Sequence, residues 1–316
     1  APVHFKQTGI EELILKYANE NDQSYRYSWG LKDGTGGDEL FLRSDFRMPS
    51  AGGALYHESN YTLGRWRFTA GLRFDFEHAR LRYRNYTDTW YTKTHIKNET
   101  AYERPIDIDD RSTLKQTFTE LLPKFSVMYS FDETRNLYLT IAKGYKSGGF
   151  NTQIFSDVLQ QKMMNRMGIG EVYDVQRGVA YKPEYSWNYE IGGHFSCMEG
   201  AVRGDFALFY IDCRDQQLTV FPPGQTTGRM MTNAGRTRSL GAEAAVQISP
   251  WRTFDINLAY GYTDARFVRY ETTVKNDDGD PVRISYKDTR IPYAPQHTLS
   301  AGAAWTVPTG VKWLGD

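Results

Sequence analysis

The sequence has few cysteines, no net charge and no long hydrophobic run. Only two of its 316 residues are cysteine, and 38 basic side chains balance 38 acidic ones. This balance leaves no net field to attract nucleic acid, so a nucleic-acid partner is not expected. The longest apolar stretches, such as residues 207–211, fall far short of the roughly 18 to 20 residues that a transmembrane helix needs. The sequence therefore predicts no helical membrane span.

Motifs for catalysis, metals and cofactors are also missing. The six histidines form no HxxxH or HxH pair and have no cysteine nearby, and no GxSxG nucleophile motif occurs. Residues 168–170 read Gly-Ile-Gly but lack the third glycine of a dinucleotide fingerprint, and the acidic segment 276–281 lacks EF-hand spacing. We therefore expect no catalytic residue, no metal site and no cofactor. Cys197 and Cys213 lie on consecutive strands in a register that keeps them apart, which predicts two free thiols.

What the chain does have is glycine, aromatic residues and strict alternation. It contains 28 Gly, 22 Tyr and 17 Phe, a profile typical of an all-β protein. From Trp66 to Glu77, apolar residues such as Phe68 and Leu72 alternate with polar ones such as Arg67 and Arg73. Period two indicates a strand, and an apolar face over residues 66–76 matches the roughly 9 to 11 residues that a tilted strand uses to cross a bilayer. Within residues 66–77, the polar odd-numbered positions are expected to face a lumen and the apolar even-numbered positions to face lipid.

Similar alternation recurs along the chain. It predicts Glu190, Glu243 and Asn257 in the lumen and Ile191, Ala244 and Leu258 on the lipid face. The predicted strands cover residues 52–61, 66–85, 115–131, 136–147, 184–198, 201–220, 233–249, 253–270 and 296–306. The first 50 residues do not follow the pattern.

The predicted connections alternate in length. Short turns at 62–65, 132–135, 199–200 and 250–252 alternate with long loops at 86–114, 148–183 and 271–295. Short periplasmic turns with long extracellular loops are typical of an antiparallel transmembrane β-barrel. Helical spacing at Ile10, Leu13, Ile14 and Tyr17, and more loosely at 158–167, predicts two loop helices that either cover the pore or pack the loops together.

The segment Gly144-Tyr145-Lys146-Ser147-Gly148-Gly149-Phe150-Asn151 closely resembles the barrel signature of TonB-dependent outer-membrane receptors. Further blocks resemble that family in the same order, at 69–73, 122–126, 182–192, 233–236, 241–243 and 291–295. The resemblance implies part of a 22-stranded barrel in the bacterial outer membrane. Residues 1–316 are expected to form part of one barrel domain, with the N-terminal plug and the C-terminal strands outside this chain.

The resemblance also implies a function. The expected activity is active uptake of a scarce nutrient, most commonly a ferric siderophore, energised by the TonB complex through the plug, with outer-membrane lipid as the surrounding partner. Haem, cobalamin or a glycan are alternative cargoes, and a passive porin is an alternative function. A chemical step is not expected, so the chain is interpreted as a transporter and not as an enzyme.

Candidate ligand residues lie in the predicted loops, where aromatic rings and cations can stack and form charge-assisted hydrogen bonds. Loop packing is the alternative role for each of them. The candidates are Trp90, Tyr91, Tyr102, Arg104, Lys146, Asn151, Tyr173 and Tyr181. The motif residues Gly144, Tyr145, Ser147, Gly148, Gly149 and Phe150 are expected to be structural, with the glycines supplying backbone freedom at the end of the strand.

Overall fold

A computed structural model describes residues 24–30, 42–168, 179–220, 230–275 and 281–307. The predicted helix at residues 10–17, the acidic segment 276–280 and Tyr173 lie outside these residues. The N-terminal part has strands β1 (Tyr25–Trp29), β2 (Arg43–Arg47), β3 (Ser50–Leu63), β4 (Trp66–His95), β5 (Ala101–Ser130), β6 (Arg135–Lys146) and β7 (Gly149–Phe150). Helix α1 (Phe155–Arg166) follows, and then strands β8 (Ala180–Tyr181), β9 (Glu184–Cys197), β10 (Val202–Val220), β11 (Met230–Trp251), β12 (Phe254–Arg269), β13 (Glu271–Lys275), β14 (Pro281–Ser285) and β15 (His297–Trp305).

Eleven of these strands form one antiparallel sheet. Its order is β1-β4-β5-β6-β9-β10-β11-β12-β15, and β2 and β3 also pair with β4, so β4 contacts three successive strands along one edge. Short turns join β3 to β4, β5 to β6, β9 to β10 and β11 to β12, longer segments make the other connections, and the paired strands form an up-and-down meander. Within the described residues the sheet is open, ending at β15 on one side and at β1 to β3 on the other. No described helix is long and apolar enough to cross a membrane.

The two predicted faces of the sheet are confirmed by its register. Ile191 pairs with Leu208, and Leu208 pairs with Ala242, so three neighbouring strands place these residues on one side. Leu72, Ile191 and Leu258 on this apolar face are between 44% and 49% exposed, although they are large hydrophobic residues. The opposite, polar face carries paired charges such as Lys124 and Glu58, 3.2 Å apart. A sheet with exposed apolar residues on one face fits a protein surrounded by lipid.

Aromatic residues mark the turn end of the apolar face. The rings of Trp66 and Tyr129 are 4.8 Å apart, and Phe254 pairs with Trp305 across β12 and β15. Such a row is typical of an interfacial girdle. The turns at 132–135 and 199–200 are short as predicted, and both cysteines are free thiols, with Cys197 opposite Val202.

The prediction of a long loop at 86–114 is wrong, because most of these residues form strand. Strands β4 and β5 pair without interruption from Trp66↔Tyr129 to Thr94↔Ala101, so only residues 96–100 connect them. The alternation did not predict β1 and β2 in the first 50 residues. Both pair with β4 along the part of the hairpin that extends beyond the apolar rows. The loop predicted at 271–295 likewise contains the hairpin β13–β14. The helix predicted near 158–167 is confirmed as α1.

Helix α1 packs on the hairpin of β4 and β5. Its residues Val158, Leu159 and Met163 are almost fully buried. Leu159 and Met163 form a cluster with Tyr91 and Ile106. These hairpin residues continue the polar face of the sheet. The face of β4 and β5 that is polar beside the apolar rows 66–76 therefore becomes apolar where α1 covers it. The buried core of the described chain lies in this second part.

Candidate ligand site at the open end of the sheet

The glycine motif connects β6 to the short ladder of β7 and β8. A Cβ atom on Gly148 would lie 2.5 Å from the backbone oxygen of Tyr181, and one on Gly149 would overlap the phenol of the same tyrosine. Neither glycine has a left-handed backbone conformation. Close approach of β7 to β8, and not the expected backbone freedom, therefore requires glycine at these two positions.

Asn151 fastens the end of this motif to strand β11. Its Nδ2 donates to the backbone oxygen of Met231 at 2.8 Å, and the backbone nitrogen of Met231 donates to its Oδ1 at 2.7 Å. Its own backbone nitrogen donates to the oxygen of Val179. Asn151 is 8% exposed, and both polar atoms of its side chain bond to the backbone of Met231.

Two further amide side chains hold the same region. Nε2 of Gln217 donates to the backbone oxygens of Ser147 at 2.8 Å and Lys182 at 3.1 Å. Asn233 accepts from the backbone nitrogen of Lys182 and donates to its oxygen. The motif is thus fixed by side chains of β10 and β11 that sequence reasoning had not assigned. The signal that could have found them is a pair of amide residues within otherwise alternating strands.

A cleft lies between β5 and the β7–β8 ladder, where the pairing of β5 with β6 ends at Lys124↔Ala142. Its volume is about 560 Å³, and its lining includes Phe150, Tyr181, Lys182 and Tyr185. Gln116, which also lines the cleft, connects its two sides because its Nε2 donates to the backbone oxygen of Gly149 at 3.0 Å. Burial raises the pKa of Tyr181, which keeps its phenol neutral and able to donate a hydrogen bond at neutral pH.

A cation lies near the same cleft. Nζ of Lys143 is 3.0 Å from the carboxylate of Glu120 and 5.3 Å from the ring centroid of Tyr185. Both charged side chains are largely buried, at 22% and 16% exposure. The lining therefore combines aromatic rings and phenols with the amines of Lys115 and Lys182 and with the carboxylate of Glu120, which Lys143 neutralises. Such a set can hold an anionic or aromatic ligand.

The hairpin above the sheet is held to α1 by a buried amide. Asn85 is fully buried, donates from Nδ2 to the backbone oxygen of Phe155 at 3.1 Å, and accepts from the hydroxyl of Ser44. Nζ of Lys162 on the helix also bonds the carboxylate of Asp110. Burial, and secondly the charge of Asp110, raises the pKa of Tyr83 beneath the helix. The hairpin and helix thus form one packed unit beside the cleft.

The predicted ligand residues that the structure describes do not come together. Tyr91 is buried with its ring stacked on Tyr27 at 6.2 Å, and Asn151 is committed to Met231. Tyr102 and Arg104 are exposed and share the face of the hairpin that carries Tyr91.

The other predicted residues lie in three separate places. Trp90, 40% exposed, lies on the opposite face of the hairpin from Tyr102 and Arg104. Lys146 is exposed at the end of β6, and Tyr181 lines the cleft. Among the described residues, no group of three or more His, Cys, Asp or Glu side chains could hold a metal ion.

The chain is similar in sequence to a known protein family and to individual members of it. The family model for the β-barrel of TonB-dependent receptor-like proteins matches residues 8–316. The pesticin receptor of Yersinia enterocolitica serotype O:8 is 26% identical over 197 residues, which is 62% of this chain and 24% of that receptor; the pesticin receptor of Yersinia pestis is 25% identical over the same shares. The chain thus spans about a quarter of the length of the curated relatives it matches.

A solved structure agrees with the fold. The ferric yersiniabactin uptake receptor FyuA from Yersinia pestis matches 85% of this chain and 33% of its own, with a TM-score of 0.52 and 19% identity. The apolar face is therefore the lipid face and the polar face lines the barrel. Members of the family are transport receptors of the outer membrane. The chain belongs to the TonB-dependent receptor family and forms part of its β-barrel.

Proposed function

We propose that this chain is part of a receptor that takes up a ferric siderophore across the outer membrane, with energy from the TonB complex and without a chemical step. Family membership supports the transport role. The cargo is supported by the similarity to FyuA, a ferric yersiniabactin uptake receptor. The observation that carries the proposal is the cleft of about 560 Å³ beside the glycine motif, because its phenols and amines suit an anionic ferric chelate.

The receptor works, in this proposal, as a larger polypeptide. Strands β15 and β3 present unpaired backbone groups at the two edges of the described sheet, and such edges are unfavourable in lipid. Further strands would close the barrel, and a plug would fill it and contact TonB. Residues 1–316 are then one part of a single barrel domain.

We assign ligand contact to the candidate residues that are open. Tyr102 and Arg104 lie on the helix-bearing face of the hairpin, and Tyr181 lines the cleft. Trp90 and Lys146 are also exposed and join the proposed set. Tyr173, which lies outside the described residues, stays in the set on its sequence alone. Tyr91 and Asn151 have structural roles because their side chains are buried against protein.

The test is uptake of iron-55 by cells that produce the full-length receptor and no other siderophore receptor. Uptake should require TonB, and a panel of ferric siderophores should contain the cargo. The double variant Tyr102→Ala and Arg104→Gln should weaken binding by about tenfold, since two contacts of about 0.7 kcal/mol each are lost. Lys97→Gln, at the exposed tip of the same hairpin, is the control. Uptake that persists without TonB would identify a passive porin, and uptake of only haem, cobalamin or a glycan would replace the cargo.

A further inference from the structure

The sheet is interrupted between β5 and β6. Their ladder ends at Lys124↔Ala142, although both strands continue beyond this pair. The next residue of β5 is Pro123, which has no N–H to donate to a neighbouring strand. Strand β6 goes on pairing with β9 to its last residue, so its end separates from β5 alone. Residues 114–120 of β5 line the cleft without a gap, so both faces of the strand border it and the cleft lies at this break.

An ion pair crosses the break. The carboxylate of Glu120 on β5 is 3.0 Å from Nζ of Lys143 on β6. Glu120 is paired with Asp75, which places it on the polar face of the sheet. Lys143 is two residues beyond Ile141, which is paired with Phe125 on the apolar face. A continuous ladder keeps such rows on opposite sides of a sheet, so this ion pair forms because the ladder has ended.

The ion pair sets the charge of the cleft. Lys115 and Lys182 are the basic residues of the lining, and both are exposed. Within the described part of the chain neither lysine forms an ion pair. Glu120 is the acidic residue of the lining, and Lys143 neutralises it. These four side chains together leave two positive charges in excess.

The same pair holds an aromatic wall of the cleft. The phenol of Tyr185 donates a hydrogen bond to the carboxylate of Glu120, and Nζ of Lys143 is 5.3 Å from the centroid of its ring. Glutamine at position 120 would keep an acceptor for this phenol. The nearby carboxylate of Glu184 accepts from the backbone nitrogen of Gln217 at 2.7 Å and is not part of the lining.

We propose that Glu120 and Lys143 determine the charge selectivity of the cleft, and that the cleft takes an aromatic group that carries a negative charge. This inference rests on the proposed function, because the cleft is the ligand site in both. The rings of Phe150 and Tyr181 offer faces for stacking, and the excess of lysine attracts an anion. Loss of Lys143 lowers the excess from two positive charges to one, whereas neutralising Glu120 raises it to three. Neutralising both residues leaves it at two.

The experiment is photolabelling of the full-length receptor in mild detergent with para-azidobenzoate and para-azidobenzamide, which have similar shapes and differ in charge. Mass spectrometry measures labelling of residues 114–120 and 180–185 against probe concentration. The variants are Lys143→Met, Glu120→Gln and the combination of both. The controls are Lys124→Met and Glu58→Gln, which break a second Lys–Glu pair, 3.2 Å apart on the polar face, that does not line the cleft.

The labelling by azidobenzoate should follow the charge of the cleft. Its half-maximal concentration should rise about threefold in Lys143→Met and fall about threefold in Glu120→Gln, because water in an open cleft screens each unit of charge. In the double variant it should return to within about twofold of the unmodified receptor. The values for neutral azidobenzamide should change by less than about twofold in every variant.

Opposite shifts in the two single variants separate charge selectivity from a structural role. A pair that only supports the fold would weaken labelling in both variants alike, and that result would overturn the proposal. An equal response of the neutral probe, equal shifts in the controls, or no labelling of the cleft would overturn it as well. A receptor that shows the charge series but takes up no ferric siderophore would keep this selectivity and refute the proposed cargo alone.

Discussion

The carboxamide of Asn151 makes two opposed hydrogen bonds with the backbone of Met231, donating at 2.8 Å and accepting at 2.7 Å. The two residues are separated by 80 positions in sequence. This contact ties the end of the glycine motif to β11 and so fixes one wall of the region beside the cleft. An asparagine is required there because it offers a donor and an acceptor in one plane.

Asn151→Ala should therefore destabilise the loop region. The substitution leaves a backbone N–H and a backbone carbonyl of Met231 without partners, at a cost of about 1 to 3 kcal/mol. Asn151→Asp keeps the acceptor but places a buried carboxylate oxygen against the carbonyl oxygen of Met231, so it should not restore the stability of the unmodified protein. Hydrogen exchange of the Met231 amide in the full-length receptor measures both effects. Unchanged exchange in the alanine variant would contradict the assignment of Asn151 to structure.

Gly148→Ala should destabilise the ladder of β7 and β8. The added methyl group would meet the oxygen of Tyr181 at 2.5 Å and the ring of Phe118 at 2.9 Å, and such overpacking costs about 1 to 3 kcal/mol. Gly53→Ala on β3 is the control, since a Cβ there meets no atom within 4 Å. Denaturant unfolding of the receptor in lipid vesicles compares the two variants. Equal stability would show that the approach of Tyr181 does not require glycine.

Adjacent residues of β12 should respond differently to a positive charge. Leu258→Arg places a guanidinium group on the lipid face and should cost about 2 to 4 kcal/mol near the midplane. Asn257→Arg places it on the face that lines the barrel, where water and carboxylates are available, and should be much milder. Free energies of folding into vesicles give both values. Equal costs for the two variants would contradict the assigned register.

The ion trio that Asp109 forms with Arg84 and Arg111 on the β4–β5 hairpin should survive acidification. Arg111, and then Arg84, hold the pKa of Asp109 well below its ordinary value. A lowered pKa in the folded state means that the trio stabilises the hairpin above the unfolded pKa of about 3.9 and loses this contribution as the pH falls through the folded value. The carboxyl carbon of Asp109 should therefore still report the ionised form at pH 3 in an NMR titration. Arg111→Gln should raise the titration midpoint, and a midpoint near 3.9 in the unmodified protein would refute the trio.

Protease added to intact cells should cut at residues 96–100 and spare the turns at 132–135 and 250–252. The first segment connects β4 and β5 at the extracellular tip, whereas the two turns lie at the opposite end of the sheet. The paired parts of the hairpin should resist cleavage because their backbone is held in a ladder. Mass spectrometry of the released fragments locates the cuts. Cleavage at 132–135 in intact cells would reverse the orientation.

Alternation predicted the transmembrane strands because lipid and the barrel interior impose opposite chemistry on neighbouring residues. It therefore located Leu72, Ile191 and Leu258 on the correct face. It failed for β1 and β2, which have five residues each and whose partners lie on β4, dozens of residues away. It also failed for residues 86–95, where both faces meet water or protein and aromatic residues such as Trp90 and Tyr91 occur on both faces.

The sites were less accessible to sequence reasoning. Tyr91 and Tyr102 are both tyrosines of one predicted loop, yet one is buried on Tyr27 and the other is 43% exposed. They differ because β1 and α1 together bury Tyr91 and leave Tyr102 open. Gln217 was not singled out because its role depends on backbone oxygens from distant segments. Side chains that bond to the backbone have no fixed sequence spacing, so the only signal for Gln217 and Asn233 was an amide residue within an otherwise alternating strand.

The unbroken pairing of β4 with β5 has a consequence for how the receptor assembles. The same ladder lies in two environments. Its rows near the turn end face lipid, and its rows near the other end pack against α1. A slip by one residue would turn Arg73 towards hydrocarbon and, through the same displacement, turn Leu81 out of the helix contact into water. A register slip is therefore unfavourable both for membrane insertion and for packing of α1. A hairpin that has inserted in the correct register presents the surface on which α1 packs.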